Sequence, residues 1–132
     1  MSFNDRIIDE FRANGGEVDR FGHGLILVHH IGAKSSTERV SPVMGLPSEA
    51  GWLVAASKGG SDENPAWYYN LVANPDVMIE TPDDPVVPVR AVELTGPERA
   101  AAWARFLTAS PAFAQYEQRT PRTIPVLELR RR

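Results

Sequence analysis

Apolar runs in this chain are short, and nearly every one ends in a turn built from Gly, Ser, Asn or Pro. Gly24 to Ile31, Arg39 to Gly45, Trp52 to Ala56, Val77 to Glu80, Val86 to Leu94 and Ile124 to Leu129 each have strand length and composition. Pro47 to Gly51 reads as a hairpin turn. Pro42 marks its strand as an edge or a bulge, and Pro125 limits the last one. Helical stretches fall between these runs without regular alternation: Ser2 or Asn4 to Ala13, Ala66 to Ala73 behind an Asn64-Pro65 start, Thr95 to Leu107, and Ser110 to Tyr116 or Arg119. About six antiparallel strands with inserted helices, mainly β with α, therefore suit a small barrel better than an alternating fold. At 132 residues the chain reads as one domain, 1–132, with no internal repeat or linker.

Charge and composition narrow the function classes. A net charge of −3 argues against a nucleic-acid partner. The basic Arg130-Arg131-Arg132 reads as a frayed, solvated end. With no cysteine there is no disulfide and no thiolate chemistry. No apolar run reaches the roughly eighteen residues of a membrane span, and Met1 to Asp5 lacks the basic start of a signal peptide, so a cytoplasmic protein is expected. The first helix carries Ile7, Ile8 and Phe11 on one face, which is expected to pack on the domain rather than rest on a membrane surface.

Only two lysines occur, and each follows a strand in a small-residue turn: Gly32-Ala33-Lys34-Ser35-Ser36 and Ser57-Lys58-Gly59-Gly60. Such turns expose backbone N–H groups beside an ammonium, a pattern that cradles phosphate. Taken singly, each also reads as a solvated surface turn. Should the two strands lie near each other, Lys34, Ser35, Arg39, Ser57, Lys58 and Gly59 would converge on one anion. Trp67, Tyr68 and Tyr69 fall on the second helix, where core packing explains Trp67 and Leu71 and leaves a tyrosine free for a ligand. Phe113, Tyr116 and Arg119 have helical spacing, suiting either a docked helix or a lid over a flat aromatic ligand. His23, His29 and His30 raise a metal, but adjacent strand residues face opposite ways, so no metal site is expected. No hydrolytic or dinucleotide motif is present, and anchors plus aromatics suit a borrowed redox cofactor.

Three stretches resemble one family. Ala55-Ala56-Ser57-Lys58-Gly59-Gly60 with Asn64-Pro65-Ala66-Trp67-Tyr68-Tyr69-Asn70-Leu71 is similar to the deazaflavin-dependent nitroreductases and F420H2-dependent quinone reductases. So are Ile7 to Gly16 at the start and Pro111 to Tyr116 with Arg119 to Val126 at the end. The resemblance implies a split β-barrel of FMN-binding type that uses coenzyme F420 to reduce quinones, nitroaromatics or activated enones. It implies cofactor contacts at Lys34, Ser35, Arg39, Pro42, Ser57, Lys58, Gly59 and Trp67, and acceptor-side positions at Phe113 and Tyr116. Tyr116 would shape the pocket and donate a proton or hydrogen bond, a task solvent serves equally. A carrier of F420, FMN or haem on the same fold is the alternative. Monomer and homodimer are both open. The chain departs from the family where Ser36 replaces a closing glycine, where Phe113 stands for a tyrosine of some nitroreductases, and where His29-His30 replaces small hydroxyl residues.

Overall fold

The computed structural model describes residues 2–132. Helix α1 spans Phe3–Ala13 and starts on a reciprocal cap, the Ser2 hydroxyl accepting from the Asp5 amide while the Asp5 carboxylate accepts from the Ser2 amide. Among the described residues seven strands follow: β1 Leu25–Ile31, β2 Glu38–Met44, β3 Leu46–Pro47, β4 Gly51–Ala55, β5 Asp76–Glu80, β6 Val87–Glu93 and β7 Val126–Arg131. Helix α2 (Ala66–Ala73) lies between β4 and β5, and α3 (Gly96–Ala109) and α4 (Ala112–Arg119) lie between β6 and β7. None of these helices is long and apolar enough to cross a membrane.

All neighbours pair antiparallel in the order β2-β1-β5-β6-β7-β4-β3. The two ends of that order, β2 and β3, are joined in the chain by the single residue Gly45. One extended run therefore leaves one edge and enters the other, which curls the sheet round on itself. The Gly45 amide donates to the Gly24 carbonyl at 2.9 Å, and a Cβ at Gly45 would press on Ile26 at 3.2 Å. The strand beyond the six expected is β3, the Leu46–Pro47 arm of the hairpin whose turn closes between Ser48 and Gly51.

Alternating residues fill the interior. Ile26, Val28, Val54, Val77, Ile79, Val89, Leu127 and Leu129 form its centre. Trp103, Phe106 and Phe113 from α3 and α4 close one side on Leu53, Ile124 and Val126, while Ile7, Ile8 and Phe11 of α1 cover Val18, Leu25 and Leu27. The basic tail is not frayed. Arg130 and Arg131 belong to β7, Arg131 stacks 4.5 Å above Trp52, and Arg132 donates to the Val89 and Val77 carbonyls. Pairing and stacking outweigh the solvation that such a sequence otherwise favours.

Helix α1 is also pinned by charge. Arg12 forms a two-pronged bond to Glu80 at 2.7 and 3.0 Å, and His29 bridges Glu80 at 2.6 Å and Glu38 at 3.0 Å. Burial lowers the His29 pKa, but the bonds and charges of Glu38 and Glu80 overcome it, leaving the value raised above 6.5. Glu80 is lowered, chiefly by its hydrogen bond to Arg12. Stability from His29 is complete below its unfolded pKa and is lost as pH rises through the raised folded value. Stability from Glu80 is complete above its unfolded pKa and is lost as pH falls through the depressed one. The clamp is strongest between these limits. Compared with His29→Gln, the wild-type protein is expected to show its largest advantage in thermal midpoint at about pH 5–6, shrinking toward pH 8. A constant advantage across that range would mean the imidazole charge plays no part.

Candidate functional site

Strand direction decides where the two lysine turns lie. β1 and β4 are separated by β5, β6 and β7, each inverted relative to its neighbour, so β1 and β4 run the same way. The turns after them therefore open at the same end of the barrel. Helix α2 starts just beyond the second turn and sends Asn70 back to the first.

Two clefts flank the first turn of α2. One, of about 610 Å³, is lined by Gly32, Ala33, Lys34, Ser35, Arg39, Ala66, Tyr69 and Asn70. The other, of about 210 Å³, is lined by Pro42, Val43, Met44, Ala55, Ser57, Lys58, Gly59, Pro65, Trp67 and Phe113. The first is open and carries the cations Lys34 and Arg39; the second is narrower, with apolar side chains on one side and the polar Ser57-Lys58-Gly59 turn on the other. Strand β2 runs along both, contributing Arg39 to one and Pro42 to the other.

In the first turn the Gly32, Ala33, Ser36 and Thr37 amides are engaged by Thr37 O, Asn70 Oδ1, Gly32 O and Ser35 Oγ. The Lys34 and Ser35 amides have no acceptor among the described residues. Ser36 takes φ 59°, the left-handed conformation that a glycine adopts without strain. The turn survives the loss of the closing glycine by straining the serine. Ser36→Gly is expected to raise unfolding stability by about 1 kcal/mol, read from the denaturant midpoint. An unchanged midpoint would mean that the serine conformation carries no net strain.

The second turn has the backbone pattern of an anion-binding concavity. Ser57 is right-handed helical at φ −79°, ψ −36°, and Lys58 and Gly59 follow at φ 45° and 63°. That right-then-left succession aims neighbouring N–H groups into one hollow. The amides of Ser57, Lys58 and Gly59 have no acceptor among the described residues. Behind the loop, Arg122 donates to the carbonyls of Ala56, Ser57 and Ser61 at 3.2, 2.9 and 2.8 Å, and to Asn64 Oδ1 at 2.7 Å. Asn64, expected to cap α2, serves this guanidinium instead, and Pro65 occupies the cap position. Lys58 is half exposed and lies 3.8 Å from Glu63.

Helix α4 seals the loop. A Cβ at Gly60 would come within 2.9 Å of the Tyr116 backbone. Phe113 is buried, meeting Trp103 and Phe106 at 5.9 and 5.1 Å while also lining the slot. Tyr116 is half-buried and packs edge-on against Phe113 at 5.6 Å. It stands beside the slot and is not among the lining residues.

Sequence reasoning missed three bracing residues: Arg122, Asn70 and His30. It also found no physical account of His29-His30, which the structure supplies. His29 faces Glu38 and Glu80 outside the barrel, whereas His30 is 2% exposed and bonds Asn70 and Ser41. Burial, with the nearby charges of Arg39 and His29, lowers the His30 pKa to about 4, so its ring is neutral.

Comparison with known proteins adds to this geometry. The sequence profile of the family described as F420H(2)-dependent quinone reductase matches residues 5–130. An F420H(2)-dependent quinone reductase of Mycobacterium tuberculosis (strain ATCC 25618 / H37Rv) is 36% identical over 126 residues, covering 89% of this chain and 84% of the relative. The solved structure of an F420-H2 dependent reductase (FDR-A) is 37% identical, with a TM-score of 0.73 over 80% of this chain and 93% of that one. A third relative, solved as a domain-swapped dimer, is 33% identical, with a TM-score of 0.75 over 95% of both chains.

Proposed function

Because the chain belongs to the F420H(2)-dependent quinone reductase family, whose cofactor is coenzyme F420, we propose that it passes a hydride from the reduced coenzyme to a quinone. Nitroaromatics and activated enones are further candidate acceptors. The observation that carries the reading is the pairing of an open cleft carrying Lys34 and Arg39 with a narrower slot walled by Pro42, Met44, Trp67 and Phe113, each edged by backbone amides that have no acceptor among the described residues. That donor set fits a flat ring carrying an acidic, phosphate-bearing tail.

In this reading Lys34, Ser35 and Arg39 hold the tail, the guanidinium giving a planar fork and the ammonium a mobile charge. Ser57, Lys58 and Gly59 direct their amides at the edge of the ring, while Pro42 and Trp67 form walls of the slot. When bound, the reduced coenzyme supplies the hydride, and a proton completes reduction of the quinone to the hydroquinone. The protein's task is to orient the ring, exclude water from the slot and stabilise charge on the acceptor oxygen. Phe113 bounds the acceptor side. Tyr116, next to it, offers a hydroxyl for a hydrogen bond or proton, with solvent able to serve the same step. The domain-swapped relative supports a homodimer as the assembly to test first against a monomer.

The decisive experiment mixes the protein with F420H2 and menadione and follows coenzyme oxidation. Turnover above the uncatalysed rate is expected. Tight F420 binding with no turnover on quinones, nitro compounds or enones would instead make this a carrier. Absence of both would remove the reading.

A further inference from the structure

The cationic cleft rests on a buried chain of hydrogen bonds. Ala33 N–H donates to Asn70 Oδ1 at 2.9 Å, Asn70 Nδ2 meets His30 Nδ1 at 2.8 Å, and His30 Nε2 meets Ser41 Oγ at 2.8 Å. His30 is 2% exposed and Asn70 8%. We propose that His30 is a positioning residue for the Gly32–Ser36 turn, holding the Asn70 amide in the one orientation that leaves the Lys34 and Ser35 amides free for an anion. The inference rests on the reading that this turn receives the phosphate of the coenzyme.

Each step follows from donor and acceptor chemistry. A backbone N–H only donates, so the Asn70 atom facing Ala33 is the carbonyl oxygen. The NH2 group then faces His30, and an NH2 group also only donates. Nδ1 must present its lone pair, which places the ring proton on Nε2, where the Ser41 oxygen accepts it. Without His30 the buried Asn70 NH2 group loses its acceptor, and the amide, nearly symmetric in shape, is held in this orientation by the Ala33 N–H alone. The flipped form sets Nδ2 against Ala33 N–H, two donors face to face. Ala33 then loses its buried acceptor, and the loop that carries the two free amides is released. His30 and Asn70 stand 40 residues apart, joined only because α2 packs on β1. The histidine thereby takes the place of the small hydroxyl side chain that the family resemblance leads one to expect.

The test is a pair of binding titrations. F420 is compared with its deazaflavin chromophore lacking the phosphate tail, on the wild-type protein, His30→Phe and His30→Gln. His30→Phe is expected to weaken F420 binding about 10-fold, the size of one lost buried hydrogen bond, while binding of the tail-free chromophore stays within about twofold. Gln carries both an acceptor and a donor, so His30→Gln is expected to restore the wild-type preference. Equal weakening of both ligands, or no weakening, overturns the proposal. Imidazole nitrogen NMR of the wild-type protein tests it without any variant: a proton on Nδ1 overturns it, a proton on Nε2 supports it. Should the wild-type protein bind neither F420 nor inorganic phosphate, the reading of the turn as a phosphate site fails as well. When F420 binds and the selectivity of His30→Phe is unchanged, only the role of His30 fails.

Discussion

Arg122→Ala is expected to cost about 3 kcal/mol of folding stability and to weaken F420 binding roughly 100-fold, the largest effect of any single change at this site. The guanidinium engages three backbone carbonyls and one side-chain oxygen around the second lysine turn. Hydrogen bonds from a charged donor contribute about 1.5–3 kcal/mol each, and their partners here lose their donor together. The consequence for binding is geometric. Drawing the carbonyls of Ala56, Ser57 and Ser61 to one side is what leaves the Ser57, Lys58 and Gly59 amides to face the slot. Lys58 at φ 45° is a conformation the isolated chain avoids, so the loop has little reason to keep its shape once Arg122 is gone. Arg122→Lys should rescue little, because an ammonium cannot reach four acceptors spread about a planar fork. Urea unfolding and fluorescence-quenching titration measure the two effects. A dissociation constant within threefold of wild type would show that the loop is held by other contacts.

The paired change Lys34→Ala with Arg39→Ala is expected to act on binding alone. Both residues are exposed and line the larger cleft, and neither appears in the salt bridges or side-chain hydrogen bonds of the described residues. Their removal should leave the denaturation midpoint unchanged while raising the F420 dissociation constant about 100-fold at low salt, from two lost charge-assisted contacts. The wild-type affinity should fall as ionic strength rises, and the variant should have lost most of that slope. At saturating coenzyme the turnover number should remain near wild type, because the lost interactions serve ground state and transition state alike. A variant that keeps the salt dependence would move the tail's anchor elsewhere on the surface.

These expectations show what the sequence made legible. The Gly-Ala-Lys-Ser-Ser and Ser-Lys-Gly-Gly turns announce themselves, because small residues after an apolar run mark exposed backbone wherever they occur. The helix from Ala66 and the long strands were equally readable from local pattern. The final strand runs two residues later than the expected Ile124 to Leu129, because burial of Ile124 and Pro125 mimics strand pattern while the paired ladder starts at Val126. The supports of the site left no local trace. Arg122 reaches residues 58 to 66 positions away, and His30 reaches Asn70 only through packing of a helix on a strand. Nothing in the immediate surroundings of an arginine near residue 120 says that carbonyls from a distant loop will gather round it. The order of strands was hidden for the same reason: alternation fixes which face is buried, but not which neighbour lies alongside.

That order has a consequence for how the molecule comes into being. Val126–Arg131 runs between β6 and β4, in the interior of the sheet rather than at its rim. While the ribosome works, β2, β1, β5 and β6 can assemble as one curved fragment, with the β3–β4 hairpin waiting separately. Neither fragment can close the barrel until the last strand emerges and stitches them together. Closure of the barrel is thus all or none, and removing Val126–Arg131 is expected to disrupt the fold more than any single change in either cleft.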